Sequence, residues 1–205
     1  MSLQWRPLQT APRFMPLWGV AIGAVGGLVF WLGAQVWPAS IAVVLSMLAT
    51  ARLSADSETD RRAANVSMVG FVLALLLKYN ALMALSAANL PFALPANLAL
   101  GLIMIAGQAA SRALVVSVLA SPGPPGSKPP SHADLGIALA IGFAPAALIG
   151  LPGLIGLAVA IVARIAFIAY IRRRRPTIAA AELDIIQELT EVCFYLGTLA
   201  AWGFI

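Results

Sequence analysis

Between Leu151 and Ile171 the chain reads LPGLIGLAVAIVARIAFIAYI, a run interrupted by one charge, Arg164. A stretch of about 20 apolar residues matches the thickness of a bilayer. In lipid every backbone N–H and C=O must be paired within the protein, which leaves only helices or closed barrels. Similar runs recur along the sequence, rich in Leu, Ala, Val and Gly, and none alternates with period two, so helices are expected and a barrel is not. Composition agrees: 61% of residues are hydrophobic and 10% charged, less than half the roughly 25% charge of soluble domains. Mean hydropathy is +0.93. The expected fold is all-α, a polytopic integral membrane helix bundle with six to seven transmembrane helices, forming one transmembrane domain over residues 1–205.

The predicted spans are 16–37, 39–53, 66–87, 97–119, 135–150, 152–171 and 184–204. The second and fifth are short, which suggests tilt or re-entry. Pro38 separates the first two spans as a tight hairpin, and Pro91 and Pro95 mark the turn after the third. Pro145 and Pro152 bracket Gly150 and Gly153, the signature of a hairpin between the fifth and sixth. Before the first span, MSLQWRPLQTAPRF lacks the short apolar core and cleavage site of a signal peptide. Cys193, the single cysteine, excludes an intrachain disulfide and reads as a buried thiol. His132 falls in the Pro-rich loop SPGPPGSKPPSHAD and reads as a solvated residue.

Thirteen Lys and Arg stand against eight acids. With the N-terminus inside, almost all of the basic residues fall on the cytoplasmic connections: Arg6, Arg13, Arg52, Arg61, Arg62, Arg112, Lys128, Arg164 and Arg172 to Arg175. The positive-inside rule therefore accounts for the basic excess, and no nucleic-acid partner is expected. All eight acids cluster on the same side, which that rule does not require. The polar chemistry of the chain is thus expected to face the cytoplasm, from a membrane whose lipid is the first partner.

The last span carries ELDIIQELTEVCFYLG, residues 182–197. At about 100° per residue, Asp184, Glu188, Glu191 and Tyr195 share one helix face. Carboxylates at such a depth cost about 2.5 to 3.5 kcal/mol unless they meet a cavity, a metal or a cation. Two readings stand beside each other: an interfacial pairing of Asp184 and Glu188 with the Arg172 to Arg175 run, or a polar wall inside the bundle. Arg112 in GQAASRAL sits within an apolar helix near the same side, where it either snorkels to the headgroups or serves the wall. Lys78 in LLLKYNAL is expected to snorkel or to meet a helix carbonyl. In RLSADSETDRR, residues 52–62, Asp56, Glu58 and Asp60 are close enough in sequence to share a divalent cation, and Mg²⁺ favours carboxylates together with substrate phosphates. Such loops are also commonly just solvated.

The order of these pieces resembles the cobalamin synthase family, membrane-embedded adenosylcobinamide-GDP ribazoletransferases. FMPLWGVAIGAVGGLVFWL, from Phe14, is similar to the family's FPLVGLLIG-type opening. LSADS, from Leu53, stands in place of LHLDG, with Asp56 matching its Asp and Ser54 replacing its His. DRRA, from Asp60, resembles DSRIG and keeps the Asp and, as Arg62, the Arg. Lys78 takes the place of a family lysine, SRAL puts Arg112 where a GRWA-like segment stands, and QELTE, Gln187 to Glu191, matches the family's ending. Departures are visible too. The LADTADG continuation is missing after Ser57, and AAAELDI replaces TGDTLGA, so the resemblance is to a shortened, divergent member.

The resemblance implies a reaction in which α-ribazole, or its 5′-phosphate, is joined to the cobinamide phosphate of adenosylcobinamide-GDP with release of GMP. It further implies Mg²⁺ as cofactor, held by Asp56 and Asp60, and phosphates gripped by Arg62 and Arg112. Glu188 or Glu191 would complete the metal shell or position the ribazole, and the substrate partner is a corrinoid nucleotide. The alternative is a catalytically degenerate relative acting as an accessory or scaffold among other membrane subunits. Gly- and Ala-rich helix faces would suit that role.

Overall fold

The computed structural model describes residues 12–54, 68–88, 96–120, 130–174, 178 and 180–203. Among them there are seven helices and no strand. A 3-10 turn at Pro12–Phe14 leads into α1 (Met15–Gly33), followed by α2 (Ala39–Ser54), α3 (Met68–Ala87), α4 (Ala96–Leu119), α5 (His132–Leu148), α6 (Leu151–Arg174) and α7 (Ala180–Trp202). Among the described residues four stretches are long and apolar enough to cross a membrane: Pro12–Gly33, Gly70–Ala87, Leu98–Leu119 and Leu151–Arg174. Bulky apolar side chains such as Leu28, Val44, Leu76, Val162 and Ile165 stand on the outside, as expected where the surrounding solvent is lipid. The chain is a membrane protein. α7 falls outside that group of four because Glu182, Asp184, Glu188 and Glu191 lower its hydropathy.

The predicted spans and the observed helices agree to within a few residues. The two short spans are continuous helices, of 16 residues for α2 and 17 for α5. Pro145 does not bound the α5–α6 hairpin but lies inside the last turn of α5. There its missing N–H removes a single bond close to the helix end. The turn itself is made by Gly150, whose φ of 80° is open to glycine without strain. Pro152 follows at the second position of α6, where its N–H would have had no intrahelical partner. His132 is exposed as predicted, but it opens α5 rather than lying in a loop. Cys193 is half-buried, not fully enclosed.

α4 is the hub of the bundle, touching α1, α3, α5, α6 and α7. Its most apolar stretch is 78% buried, against 22% for that of α3. Close approach of α1 to α4 depends on a ridge of glycines one turn apart. A Cβ on Gly23 would lie 2.5 Å from the Ile105 Cα, and one on Gly27 2.8 Å from the Gly101 Cα. Small residues at four-residue spacing let helix backbones meet where lipid provides no hydrophobic drive. α6 and α7 close on each other in the same way, with Gly156 against Gly197. The glycine-rich faces are therefore largely consumed within the chain. Near the end of the bundle where α4 and α6 finish, Val115, Val118, Ile168, Ile171, Ile178 and Ile186 form a second apolar cluster.

Candidate functional site: a buried ionic cluster

Three helices bring charged or amide side chains to one level. Lys78 lies ten residues after Met68 at the start of α3, Gln108 eleven before Leu119 at the end of α4, and Glu191 eleven after Ala180 at the start of α7. At 1.5 Å per residue each is about 15 Å from its helix end, or half the roughly 30 Å of a hydrocarbon core. The α-helical period then sets the partners within each helix. Gln108 and Arg112 are one turn apart on α4, while Glu188, Glu191 and Tyr195 line one face of α7.

Glu191 is the centre. Its Oε1 accepts from Gln108 Nε2 at 2.7 Å, from the Tyr195 hydroxyl at 2.8 Å, and is paired with Lys78 Nζ at 2.9 Å. The ammonium also reaches Glu188 Oε1 at 3.3 Å. On the other side of Gln108, Arg112 donates through Nη1 to the amide oxygen Oε1 and, at 3.1 Å, to the Gln108 main-chain carbonyl. Its Nη2 donates to Ser54 Oγ at 3.1 Å. A glutamine amide is suited to this position because one end donates and the other accepts, so it joins a carboxylate to a guanidinium and satisfies both.

Two cations, Lys78 and Arg112, thus balance two carboxylates, Glu188 and Glu191. Balance matters because an unpaired ion at this depth is costly. Glu191 retains 1% of its accessible surface, Lys78 6% and Arg112 3%, whereas the Glu188 side chain keeps 27%. Glu188 is therefore the more exposed edge of the cluster. Ser54, the last residue of α2, is the other edge, and two residues further along the sequence stands Asp56.

The sequence-predicted residues separate into two groups. Arg112, Glu188 and Glu191 converge in the cluster. Asp56, Asp60 and Arg62 lie outside the described residues. Arg112 does not snorkel to the headgroups, because its donors find an amide, a carbonyl and a hydroxyl inside the bundle. Lys78, expected to snorkel or meet a carbonyl, instead forms the cation of two ion pairs. Its signal was depth, since Lys78 and Glu191 stand ten and eleven residues from the starts of their helices. Gln108 was missed because an uncharged amide in an apolar helix has no such mark until Arg112, one turn on, is given a partner. Asp184, on the same helix as Glu191, makes an interaction as well.

The chemistry of the donor set decides what Glu188 and Glu191 hold. Both turn Oε1 to the Lys78 ammonium, so the space between them fits that cation and not Mg²⁺. Among the described residues no three His, Cys, Asp or Glu side chains converge as metal ligands. What the cluster supplies is a rigid, neutral polar block connecting α2, α3, α4 and α7.

The comparisons point in one direction. The chain is 47% identical over 53 residues to the adenosylcobinamide-GDP ribazoletransferase of Leptothrix cholodnii, a match covering 26% of this chain and 20% of the relative. It is 34% identical over 137 residues to the adenosylcobinamide-GDP ribazoletransferase of Ralstonia nicotianae, covering 55% of this chain and 50% of the relative. The matched region thus spans half the length of one relative and a fifth of the other. No family model and no solved structure matches. The chain is a distant relative of curated adenosylcobinamide-GDP ribazoletransferases.

Proposed function

We propose that the protein is a ribazoletransferase of the bacterial cytoplasmic membrane, with its N-terminus and polar residues on the cytoplasmic side and six to seven helices across the bilayer. The reaction joins a ribose hydroxyl that is free in both α-ribazole and its 5′-phosphate to the phosphorus that carries the cobinamide, and the hydroxyl proton is released. The P–O–P link of adenosylcobinamide-GDP breaks and GMP leaves with the electron pair. The observation that carries this reading is the junction at Ser54. The buried cluster, through Arg112, grips the last residue of α2, and the sequence continues from there as ADSETDRR, which holds Asp56, Asp60 and Arg62.

In this reading Asp56 and Asp60 offer the hard oxygens that Mg²⁺ favours, and the bound ion would offset the charge of the diphosphate. Arg62 takes a phosphate directly, since a guanidinium matches it with paired donors. Arg112, sealed inside the bundle, acts as a positioning residue by fixing the end of α2. Glu188, the carboxylate at the open edge, faces the ribazole. Apolar helix faces hold the corrinoid while its charged end stays wet. The scaffold alternative gains no support, since the glycine faces that suggested it are packed against α4 and α7.

The test is direct. Purified protein in mild detergent, supplied with adenosylcobinamide-GDP, α-ribazole and Mg²⁺, is expected to release GMP, and Asp56→Ala to abolish that release. A folded wild-type protein that releases none overturns the reading.

A further inference from the structure

Arg164 has no place in the cluster or in the proposed reaction. It lies ten residues before Arg174 at the end of α6, about 15 Å deep along the helix. Its neighbours Val162 and Ile165 are 65% and 55% exposed, so this part of α6 faces lipid. The Arg164 side chain is half-buried. Its Nε is sealed from the surroundings with no hydrogen-bond partner among the described residues, an arrangement native proteins seldom leave unfilled. Arg172, two turns on and exposed, lies within electrostatic reach of it. Among the described residues no ion pair joins either guanidinium to a carboxylate, while Arg174 is turned aside onto the Tyr170 ring at 4.6 Å.

Two like charges on one lipid-facing helix, neither ion-paired with a carboxylate among the described residues, describe a site for an anion. The anion has to be compact, multidentate and able to enter from the membrane boundary. We propose that Arg164 and Arg172 form a phosphate-binding site on the outer edge of α6, filled by the phosphodiester of an anionic phospholipid. The Arg164 side chain turns its guanidinium out to a phosphate oxygen, and Arg172 closes over the same group from the headgroup level. Paired guanidinium–phosphate bonds have this geometry. The bound anion also removes the cost of an uncompensated arginine at this depth. A soluble phosphate ester carries the same chemistry, and the experiment separates the two sources.

Full-length protein in detergent is titrated with phosphatidylglycerol, with phosphatidylcholine and with GMP, reading binding by native mass spectrometry and the shift in Tm. Phosphatidylglycerol is expected to bind the wild type and raise Tm, and Arg164→Gln and Arg172→Gln each to weaken it about tenfold, the loss of one charge-assisted contact. Arg173→Gln, an exposed neighbour, is expected to bind like the wild type. If GMP alone shows the Arg164 dependence, the site stands with a soluble phosphate as its occupant. Equal binding by wild type and both variants, or an equal loss in Arg173→Gln, overturns it. Should Arg164→Gln fail to fold, the Arg172 and Arg173 pair decides the matter.

Discussion

Glu191 holds three donors on one oxygen, and each donor tests a different part of its environment. Lys78→Met leaves a buried carboxylate without its cation and is expected to destabilise the protein by about 3–5 kcal/mol. Tyr195→Phe removes one neutral donor and should cost about 1 kcal/mol. Thermal or denaturant unfolding in mild detergent measures both. The double variant Lys78→Met with Glu191→Gln should lose clearly less than the sum of the two single variants, because each single change strands a charge that the double change removes. Additive losses would mean that the two groups do not sense each other. At this scale the sequence was partly legible. The spacing of Glu188, Glu191 and Tyr195 marked the face, and the cost of burial required partners. Which partners answered was not legible, since the choice between an Arg run upstream and a lysine 110 residues away depends on which helices are neighbours.

Helices were the best-read level, because length, hydropathy and proline placement are local properties. Packing was not, because it depends on which glycines meet which backbone. Gly107 illustrates the difference: a Cβ there would lie 2.5 Å from Tyr195 Cε1 and 2.7 Å from its Cζ. Gly107→Ala is therefore expected to push α7 from α4, disturb the Tyr195 to Glu191 bond and cost about 1–3 kcal/mol. Gly136, in α5, has open space around it. Gly136→Ala should be neutral or stabilise by up to about 1 kcal/mol through helix propensity. Paired melting curves for the two variants check the assignment, and an equal response in both would contradict the packing of α4 on α7.

For the whole molecule, the asymmetry of charge sets an orientation that labelling can read. Arg13, at the start of α1, is ion-paired with Asp134 at the start of α5 at 3.8 Å, and Arg172 to Arg174 close α6. In intact spheroplasts an impermeant maleimide should leave Arg173→Cys unlabelled and label Gly203→Cys, both in a Cys193→Ser background. The reverse pattern would invert the topology. The sequence suggested this arrangement through its basic connections, whereas the Ser54 junction became visible only when α2 and α4 were placed together.

The distance along the chain between Lys78 and Glu188 also imposes an order on biogenesis. At about 5–20 residues per second, the 110 residues between them take roughly 6–22 s to synthesise. During that interval α3 is already made, and its ammonium has no carboxylate from α7 to meet. The arrival of α7 thus neutralises α3. A chain stalled before Glu188 would leave the Lys78 ammonium without either of its two carboxylates.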